Sequence, residues 1–140
     1  MGRRGKESTP EEVFRGSPRG LELCRAVERL LADSVPPGEA HPGDAQSKAA
    51  SLGIRATTSQ VAFSGRRRGF AYVWWPGRYV RSEVPAVLSI ALHERLDSPR
   101  FKSVVQASPG LWMHHLELRA EEDLNPEVAG WLLRARDEAG

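Results

Sequence analysis

The chain has 140 residues, of which 40% are hydrophobic and 27% charged, and its formal net charge is +2. That length is typical of one domain with its own hydrophobic core. No apolar run approaches the roughly 18 to 20 residues of a membrane span. A single cysteine, Cys24, excludes an intrachain disulfide and a multi-cysteine zinc site. The basic N-terminus lacks the apolar segment of a secretory signal, so we expect a cytoplasmic protein.

The folded domain is predicted to span 9–140, after a polar and charged tail over 1–8 that should be disordered. Thr9 to Glu12 (Thr-Pro-Glu-Glu) has the pattern of a capping box, in which the side chains at both ends of the first helical turn accept backbone amide hydrogens. Proline suits the first helical position because no amide donor is needed there. A short helix is therefore predicted, and Gly16 ends it.

A longer helix is predicted behind Ser17-Pro18, which repeats the same start signal. Its apolar residues recur at helical spacing and form one face: Leu23, Cys24, Val27, Leu30 and Leu31. The helix should end near Ser34, before two prolines. The segment 35–52 begins with Pro and Gly residues and is expected to form a loop or an insertion.

From Ile54 onward the spacing of apolar residues becomes that of strands. Four strands are predicted: Ile54–Phe63, Phe70–Trp75, Ala86–Leu92 and Trp112–Leu118. The third is apolar at nearly every position, so it should be central and covered on both faces. Polar residues interrupt the first strand from Thr57 to Gln60, which indicates either an edge strand or a face beside solvent or a pocket. The segment after the third strand is predicted to be a long loop.

A further helix signal follows the strands at Asn125-Pro126. Its apolar stripe consists of Val128, Trp131, Leu132 and Ala135. Each terminal helix has one apolar face and needs a surface on which to bury it. We therefore expect an α+β fold, in which an antiparallel sheet of about four strands packs against N-terminal and C-terminal helices.

Charge is distributed unevenly along the chain. Residues 54–102 contain nine Arg or Lys against three acids, whereas residues 117–140 contain seven acids against three Arg. Cationic loops would attract phosphates, carboxylates or an acidic partner, although ordinary solvated charge on an arginine-rich protein is the favoured explanation of the pattern. The expected partner is an anionic ligand or an acidic protein, and both a monomer and a homodimer remain open.

His114 and His115 are adjacent on the fourth predicted strand, so alternation places their side chains on opposite faces of the sheet. Diverging side chains cannot readily chelate one metal ion, and no HExxH or similar spacing occurs, so no metal site is predicted. Two interpretations of His114 remain open. It could be buried and hydrogen-bonded within the fold, or it could be a functional imidazole in a cleft.

The leading functional hypothesis is a polar cleft. The guanidinium groups of Arg95 and Arg100 suit bidentate contacts with carboxylate or phosphate, although Asp97 could pair with one of them. The candidate ligand-binding residues are Ser59, Gln60, Arg95, Arg100, His114 and His115. They predict a non-enzymatic module, without a cofactor, that binds an anionic small ligand, a nucleotide or an acidic partner.

Nucleic-acid binding is an alternative hypothesis. Arg66, Arg67 and Arg68 occupy a predicted hairpin turn and form a cationic knob. The aromatic residues that follow share one predicted face of a strand: Phe70, Tyr72 and Trp74. Basic and exposed aromatic side chains together are what a nucleic-acid-binding sheet requires, but a helix could instead cover the same aromatic face.

A hydrolase or transferase with a histidine base is the other alternative. His114 or His115 would act as the general base, and a nucleophile or carboxylate would have to lie within hydrogen-bond reach of its ring. The sequence contains no phosphate-binding glycine loop, no GxSxG elbow and no CxxC motif. An enzyme is therefore the less favoured interpretation.

Several short motifs follow one another in a fixed order. They are Thr9-Pro-Glu-Glu-x-Phe14, Ser59-Gln-Val-Ala-Phe63, Arg67-Arg-Gly-Phe-Ala71, Leu96-Asp-Ser-Pro-Arg100 and Trp112-Met-His-His115, followed by the helix of Trp131. In this order they resemble the bacterial domain-of-unknown-function family 5655, over residues 9–139. The resemblance implies a small bacterial α+β domain, found alone or attached to other domains. It implies no catalytic residues.

Overall fold

A computed structural model of the protein describes residues 8–33 and 52–140. Most of the tail predicted over 1–8 and most of the loop or insertion predicted over 35–52 lie outside the described residues. Ser8 is described, and it forms an isolated antiparallel bridge with Ala56 at the edge of the sheet. Within the described ranges, no helix combines the length and the apolarity needed to cross a bilayer.

The described chain contains three α-helices and six strands. The helices are α1 (Pro10–Val13), α2 (Pro18–Asp33) and α3 (Pro126–Ala139). The strands are β1 (Gly53–Ala56), β2 (Val61–Ser64), β3 (Gly69–Trp74), β4 (Ala86–Leu92), β5 (Ser103–Ser108) and β6 (Leu111–Leu118). They form one sheet in the order β1-β2-β3-β4-β6-β5, in which every pair of neighbours is antiparallel. The α+β class is confirmed, but the predicted number of strands was too low.

The helices begin where the sequence predicts. Thr9 and Glu12 form the capping box: the Thr9 hydroxyl accepts from the Glu12 amide at 3.2 Å, and the Glu12 carboxylate accepts from the Thr9 amide at 3.0 Å. The Ser17 hydroxyl accepts from an amide in the first turn of α2. The Asn125 side chain likewise accepts from the Val128 amide at 3.0 Å and caps α3. These caps satisfy amides that have no partner within their helix.

The first predicted strand is divided in two by a turn. Thr57 Oγ1 accepts from the amides of Ser59 and Gln60, at 3.3 and 3.2 Å, and the Thr57 amide donates to the Gln60 carbonyl at 2.8 Å. A threonine hydroxyl that bonds to nearby amides competes with strand pairing and favours a turn. The polar stretch from Thr57 to Gln60 is thus the connection of a β1–β2 hairpin, not the interior of a strand.

The strand β5 lies within the segment that was predicted to be a loop. It pairs with β6 through a hairpin whose two connecting residues are Pro109 and Gly110. Gly110 has a φ of 74°, and proline followed by a residue with positive φ is the combination that a type II turn requires. The turn residues therefore explain why the chain reverses here.

The helices pack on one face of the sheet, called here the covered face. Its core includes buried residues of all three helices together with inward-facing residues of the strands. The largest fully buried strand residues are Phe63, Phe70, Leu88, Ile90, Leu92, Leu116 and Leu118. Every residue of β4 is buried, as predicted for a central strand covered on both faces.

The connection from β4 to β5 passes β6 and is held to the covered face. The Leu96 amide donates to His114 Nε2 at 3.0 Å. The Phe101 ring lies 4.9 Å from the His114 ring and 4.6 Å from the Trp131 ring, measured between centroids. His114 therefore anchors this connection between β6 and α3.

Candidate functional site

The face of the sheet opposite the helices is called here the open face. Residues paired across neighbouring antiparallel strands carry their side chains on the same face. One row of such pairs crosses all six strands: Arg55, Ala62, Tyr72, Ser89, His115 and Ser103. Adjacent rows add Trp74, Val87 and Glu117 on one side, and Ala91, Met113 and Val105 on the other. None of these residues belongs to the core beneath the described helices.

Small residues of β4 form the floor of the open face. Val87, Ser89 and Ala91 are only 4%, 3% and 1% exposed. Larger side chains flank them on the neighbouring strands, and these larger residues are half-buried: Tyr72 and Trp74 on β3, and Met113 and His115 on β6. We call these four residues the platform. Trp74 and His115 reach over Ser89 of this floor, because both side chains hydrogen-bond to its hydroxyl.

A hydrogen-bonded relay crosses the three central strands and links two platform residues, Trp74 and His115, through Ser89. The Trp74 Nε1–H group donates to Ser89 Oγ at 3.0 Å, and Ser89 Oγ lies 2.6 Å from His115 Nδ1. An indole nitrogen can only donate, so Ser89 accepts from Trp74. Among the described residues His115 Nδ1 is the one acceptor within reach of the Ser89 hydroxyl proton, so we assign Ser89 as the donor to His115. Nδ1 must then be the acceptor in the neutral ring, and the ring proton is on Nε2.

His115 therefore presents an N–H donor that the described residues leave unpaired. Its Nδ1 is used by the relay, and Nε2 has no hydrogen-bond partner within 8–33 or 52–140. Burial lowers the pKa of His115 below its ordinary value, and repulsion by the neighbouring His114 lowers this pKa further. The imidazole is consequently neutral at pH 7, and its free nitrogen donates without carrying a full charge.

Cationic groups lie around the platform. Lys102 and Arg119 both pair with Glu117, at 3.0 and 3.1 Å, and the Lys102 hydrogen bond is the main cause that lowers the pKa of Glu117. Arg55, at the other end of the row, is exposed and makes no ion pair within the described chain. Lys102 and Arg119 against the one carboxylate of Glu117 leave a local charge of +1 at the β6 end of the platform, and Arg55 is a separate cation at the β1 end; each favours an anion.

His114, by contrast, lies on the covered face and is fully buried. Its Nε2 accepts from the Leu96 amide, so Nδ1 carries the proton and donates to the Ile90 carbonyl at 3.2 Å. Burial is the largest cause that lowers the pKa of His114, and the hydrogen bond to Ile90 partly opposes it. The predicted divergence of His114 and His115 is confirmed, and the hydrogen-bonded interpretation of His114 fits its surroundings.

The other predicted ligand-binding residues are dispersed. Ser59 and Gln60 lie in the β1–β2 turn, directly before the first residue of β2. Arg95 pairs with Asp97 at 3.0 Å, one of the alternatives left open by the sequence, and also lies over the Trp112 ring at 5.9 Å. Arg100 donates to a backbone carbonyl, that of Asp123, at 3.0 Å.

The described chain thus spreads the residues of the predicted cleft over both faces of the sheet, and ligand binding by them stays a prediction. The strands β2 and β6 are separated by three strand spacings, or roughly 14 Å. Two features of the fold separate these residues. The polar stretch at Ser59 and Gln60 is a turn, and the two histidines point to opposite faces.

The arginine turn is partly fixed to the end of α3. Arg68 Nη2 donates to His93 Nε2 at 2.9 Å, and the Arg67 amide donates to the Ala139 carbonyl at 2.8 Å. A cation at a helix C-terminus is stabilised by the helix dipole. Arg66 and Arg67 remain exposed, whereas Arg68 is half-buried. Two of the three arginine side chains of the knob are thus exposed rather than all three.

The predicted aromatic face also differs from the observed one. Phe70 is fully buried in the core, whereas Tyr72 and Trp74 are half-buried on the open face. The register of β2 and β3 shifts here: Phe63 pairs with Ala71, but Ser64 pairs with Gly69. Such a bulge leaves Phe70 without a partner and breaks the alternation. Nucleic-acid binding by Arg66–Arg68 remains a prediction.

Apart from His115, and from Tyr72 and Trp74 in the nucleic-acid alternative, the residues of this site were not selected from the sequence, and Ser89 is one of them. A signal was present, because Ser89 is the single polar residue in the apolar run Ala86–Leu92. A hydroxyl in a strand buried on both faces needs a hydrogen-bond partner.

Among the described residues, no three His, Cys, Asp or Glu side chains are grouped so as to hold a metal ion.

Comparison with known families agrees with the motif resemblance. A profile of the family described as "Domain of unknown function (DUF5655)" matches residues 46–137, about two thirds of the chain. The chain belongs to the DUF5655 family. The match to DUF5655 includes all six strands and most of α3, and hence the whole open face, while α1 and α2 precede it. No curated protein and no solved structure matches the chain.

Proposed function

We propose that this DUF5655 domain is a binding module that holds a nucleotide, a ligand with a planar part and an anionic part, against the open face. The relay from Trp74 through Ser89 to His115 is the observation that supports the proposal. It fixes the ring of His115 and leaves one imidazole N–H directed away from the relay. A donor held in advance costs little ordering entropy when a ligand binds.

The platform suits the planar part of such a ligand. Tyr72 and Trp74 are half-buried aromatic residues on a sheet face, and base–aromatic stacking contributes about 1–3 kcal/mol per base. The phosphate would be attracted by the cations around it. Arg55 has no ion-pair partner within the described ranges, and Lys102 and Arg119 share one carboxylate.

A hydrolytic role for His115 has one observation in its favour. Ser89 Oγ lies within hydrogen-bond reach of the imidazole, as a nucleophile would need to. However, Ser89 is only 3% exposed and its hydroxyl is engaged with both Trp74 and His115. No described carboxylate contacts the ring of His115. A serine that orients the ring fits this arrangement better than a serine that attacks a substrate.

The proposal is tested by titrating AMP, ADP, ATP and GMP into the protein and measuring both heat and the shift in melting temperature. Adenosine and inorganic phosphate serve as half-ligands that carry only the planar or only the anionic part. We expect a nucleotide to bind with a Kd in the micromolar to millimolar range, and each half-ligand to bind at least tenfold more weakly.

Matched variants locate the site. Tyr72→Ala should weaken binding tenfold or more, because about 1.4 kcal/mol corresponds to tenfold in Kd. Tyr79→Ala removes an exposed tyrosine outside the open face and should leave Kd unchanged. Likewise Arg55→Gln should weaken binding, whereas Arg66→Gln should not. Absence of binding by all four nucleotides at millimolar concentration, or equal losses in the two members of a pair, would refute the proposal.

A further inference from the structure

The strand β5 is an edge strand whose outer side is free in the described chain. Its inner side pairs with β6, and no described strand lies beyond it. All six of its residues are uncharged and none is proline. Five of the six are exposed, and Val104 is half-buried. Edge strands are usually shielded by charged residues, proline or short length, because their unpaired backbone groups otherwise recruit another strand. β5 has none of these three protections, and its one irregularity, between Gln106 and Ser108, lies at its C-terminal end.

The opposite edge of the sheet is better shielded. β1 has four residues, and one of them is the charged, exposed Arg55. Ser8 forms a bridge with Ala56, so part of the outer side of β1 is already occupied. The two edges of one sheet thus differ in length, in charge and in coverage. This difference marks β5 as the edge available for pairing.

We propose that β5 pairs with β5 of a second copy of this chain. A two-fold axis perpendicular to the sheet and midway between the two copies of Val105 continues the antiparallel order of the sheet. It also keeps the open faces of the two copies on the same side. In this register Val105 lies beside its symmetry mate and Val104 faces Gln106, the last residue before the irregularity in β5. No residue of β5 is charged, so no like charges are opposed within the paired strands.

Burial and access both favour this partner. Val105 is 52% exposed on the open face, and its pairing with a second valine would bury apolar surface beside Met113. Gln106 is exposed on the other face, and no described strand lies beyond β5 to block an incoming strand. Stable complexes bury roughly 1,200–2,000 Å², and one six-residue strand supplies less. The dimer should therefore be weak and depend on concentration.

Sedimentation velocity of the full chain from 5 to 500 µM tests the proposal. The expected mass rises from the 15.5 kDa of one chain toward twice that value as concentration increases. Val105→Lys places two cations together at the axis and should keep the protein monomeric over this range. Ile54→Lys, at an exposed residue of β1, should leave association unchanged. Circular dichroism establishes that both variants are folded.

A monomer at every concentration overturns the proposal, as does a dimer that survives Val105→Lys or is lost equally in Ile54→Lys. Cross-linking gives a second readout. The Cα atoms of two residues paired across the axis are about 4.5–5.5 Å apart, a distance that a disulfide can span. Val105→Cys should form a covalent dimer on mild oxidation, and Ile54→Cys should not. Cys24 is buried and should not compete. Equal cross-linking of the two variants contradicts the register.

Discussion

As the pH falls, the domain should begin to lose stability at a higher pH than it would if only its carboxylates titrated. The reason is that two histidines are held neutral in the fold. Burial lowers the pKa of His114 and of His115. The unfolded chain therefore binds more protons than the native protein below the ordinary histidine pKa of about 6.5. Stability is fully present above that pH and is lost as the pH falls toward the folded-state pKa values.

The size of the effect has a clear upper limit. If the native rings stay unprotonated, each histidine reduces the free energy of unfolding by about 1.4 kcal/mol between pH 7.5 and 5.5. His114 and His115 together would reduce it by at most about 2.7 kcal/mol, a large part of the 5–15 kcal/mol typical of a domain. Glu117 also has a lowered pKa, but its ordinary value is 4.5, so it titrates below this window.

The assay is urea unfolding followed by tryptophan fluorescence and circular dichroism at pH 5.5 to 8.0 and constant ionic strength. His115→Gln should remove about half of the pH dependence, because His114 remains. A free energy of unfolding that is flat or increases from pH 7.5 to 5.5 would refute the reasoning. A full pH dependence in the His115→Gln variant would show that this residue is not held neutral.

Three further substitutions test individual contacts. Ser89→Ala leaves the Trp74 N–H and His115 Nδ1 without their partner, so it should cost about 1–3 kcal/mol in urea unfolding and change tryptophan fluorescence. Gly110→Ala places a side chain at a φ of 74°, and should cost about 1 kcal/mol; equal stability would contradict the turn assignment. Asn125→Ala removes the cap of α3 and should lower the free energy of unfolding by about 1 kcal/mol, whereas Asn125→Gly should lower it by a few tenths.

Local signals made much of the fold predictable. Caps and helical periodicity identified α1, α2 and α3, because a helix start depends on residues that are neighbours in sequence. The apolar run at Ala86–Leu92 identified the central strand. The edges were harder to predict. β5 has little apolar periodicity because most of its residues face water, and the Thr57 turn contains no glycine or proline to mark it.

The site was less predictable because it depends on register. His115 was among the predicted residues, but its partner Ser89 is distant in sequence and meets it through pairing of β4 with β6. Sequence alternation gives the face of a residue within its own strand, but it does not give the residue opposite. The bulge at Phe70 is a second case, since one extra residue shifts the alternation within β3.

The position of β5 outside β6 has a consequence for the order in which the sheet assembles. β5 precedes β6 in the chain, and β6 is its one neighbour in the described sheet. A two-residue turn joins them, so this hairpin can form locally, on a timescale of about 1–10 μs. The hairpin then reaches the sheet through its second strand, which pairs with β4. β5 is thus brought to the sheet by its pairing with β6, and the path of the chain keeps it at the edge.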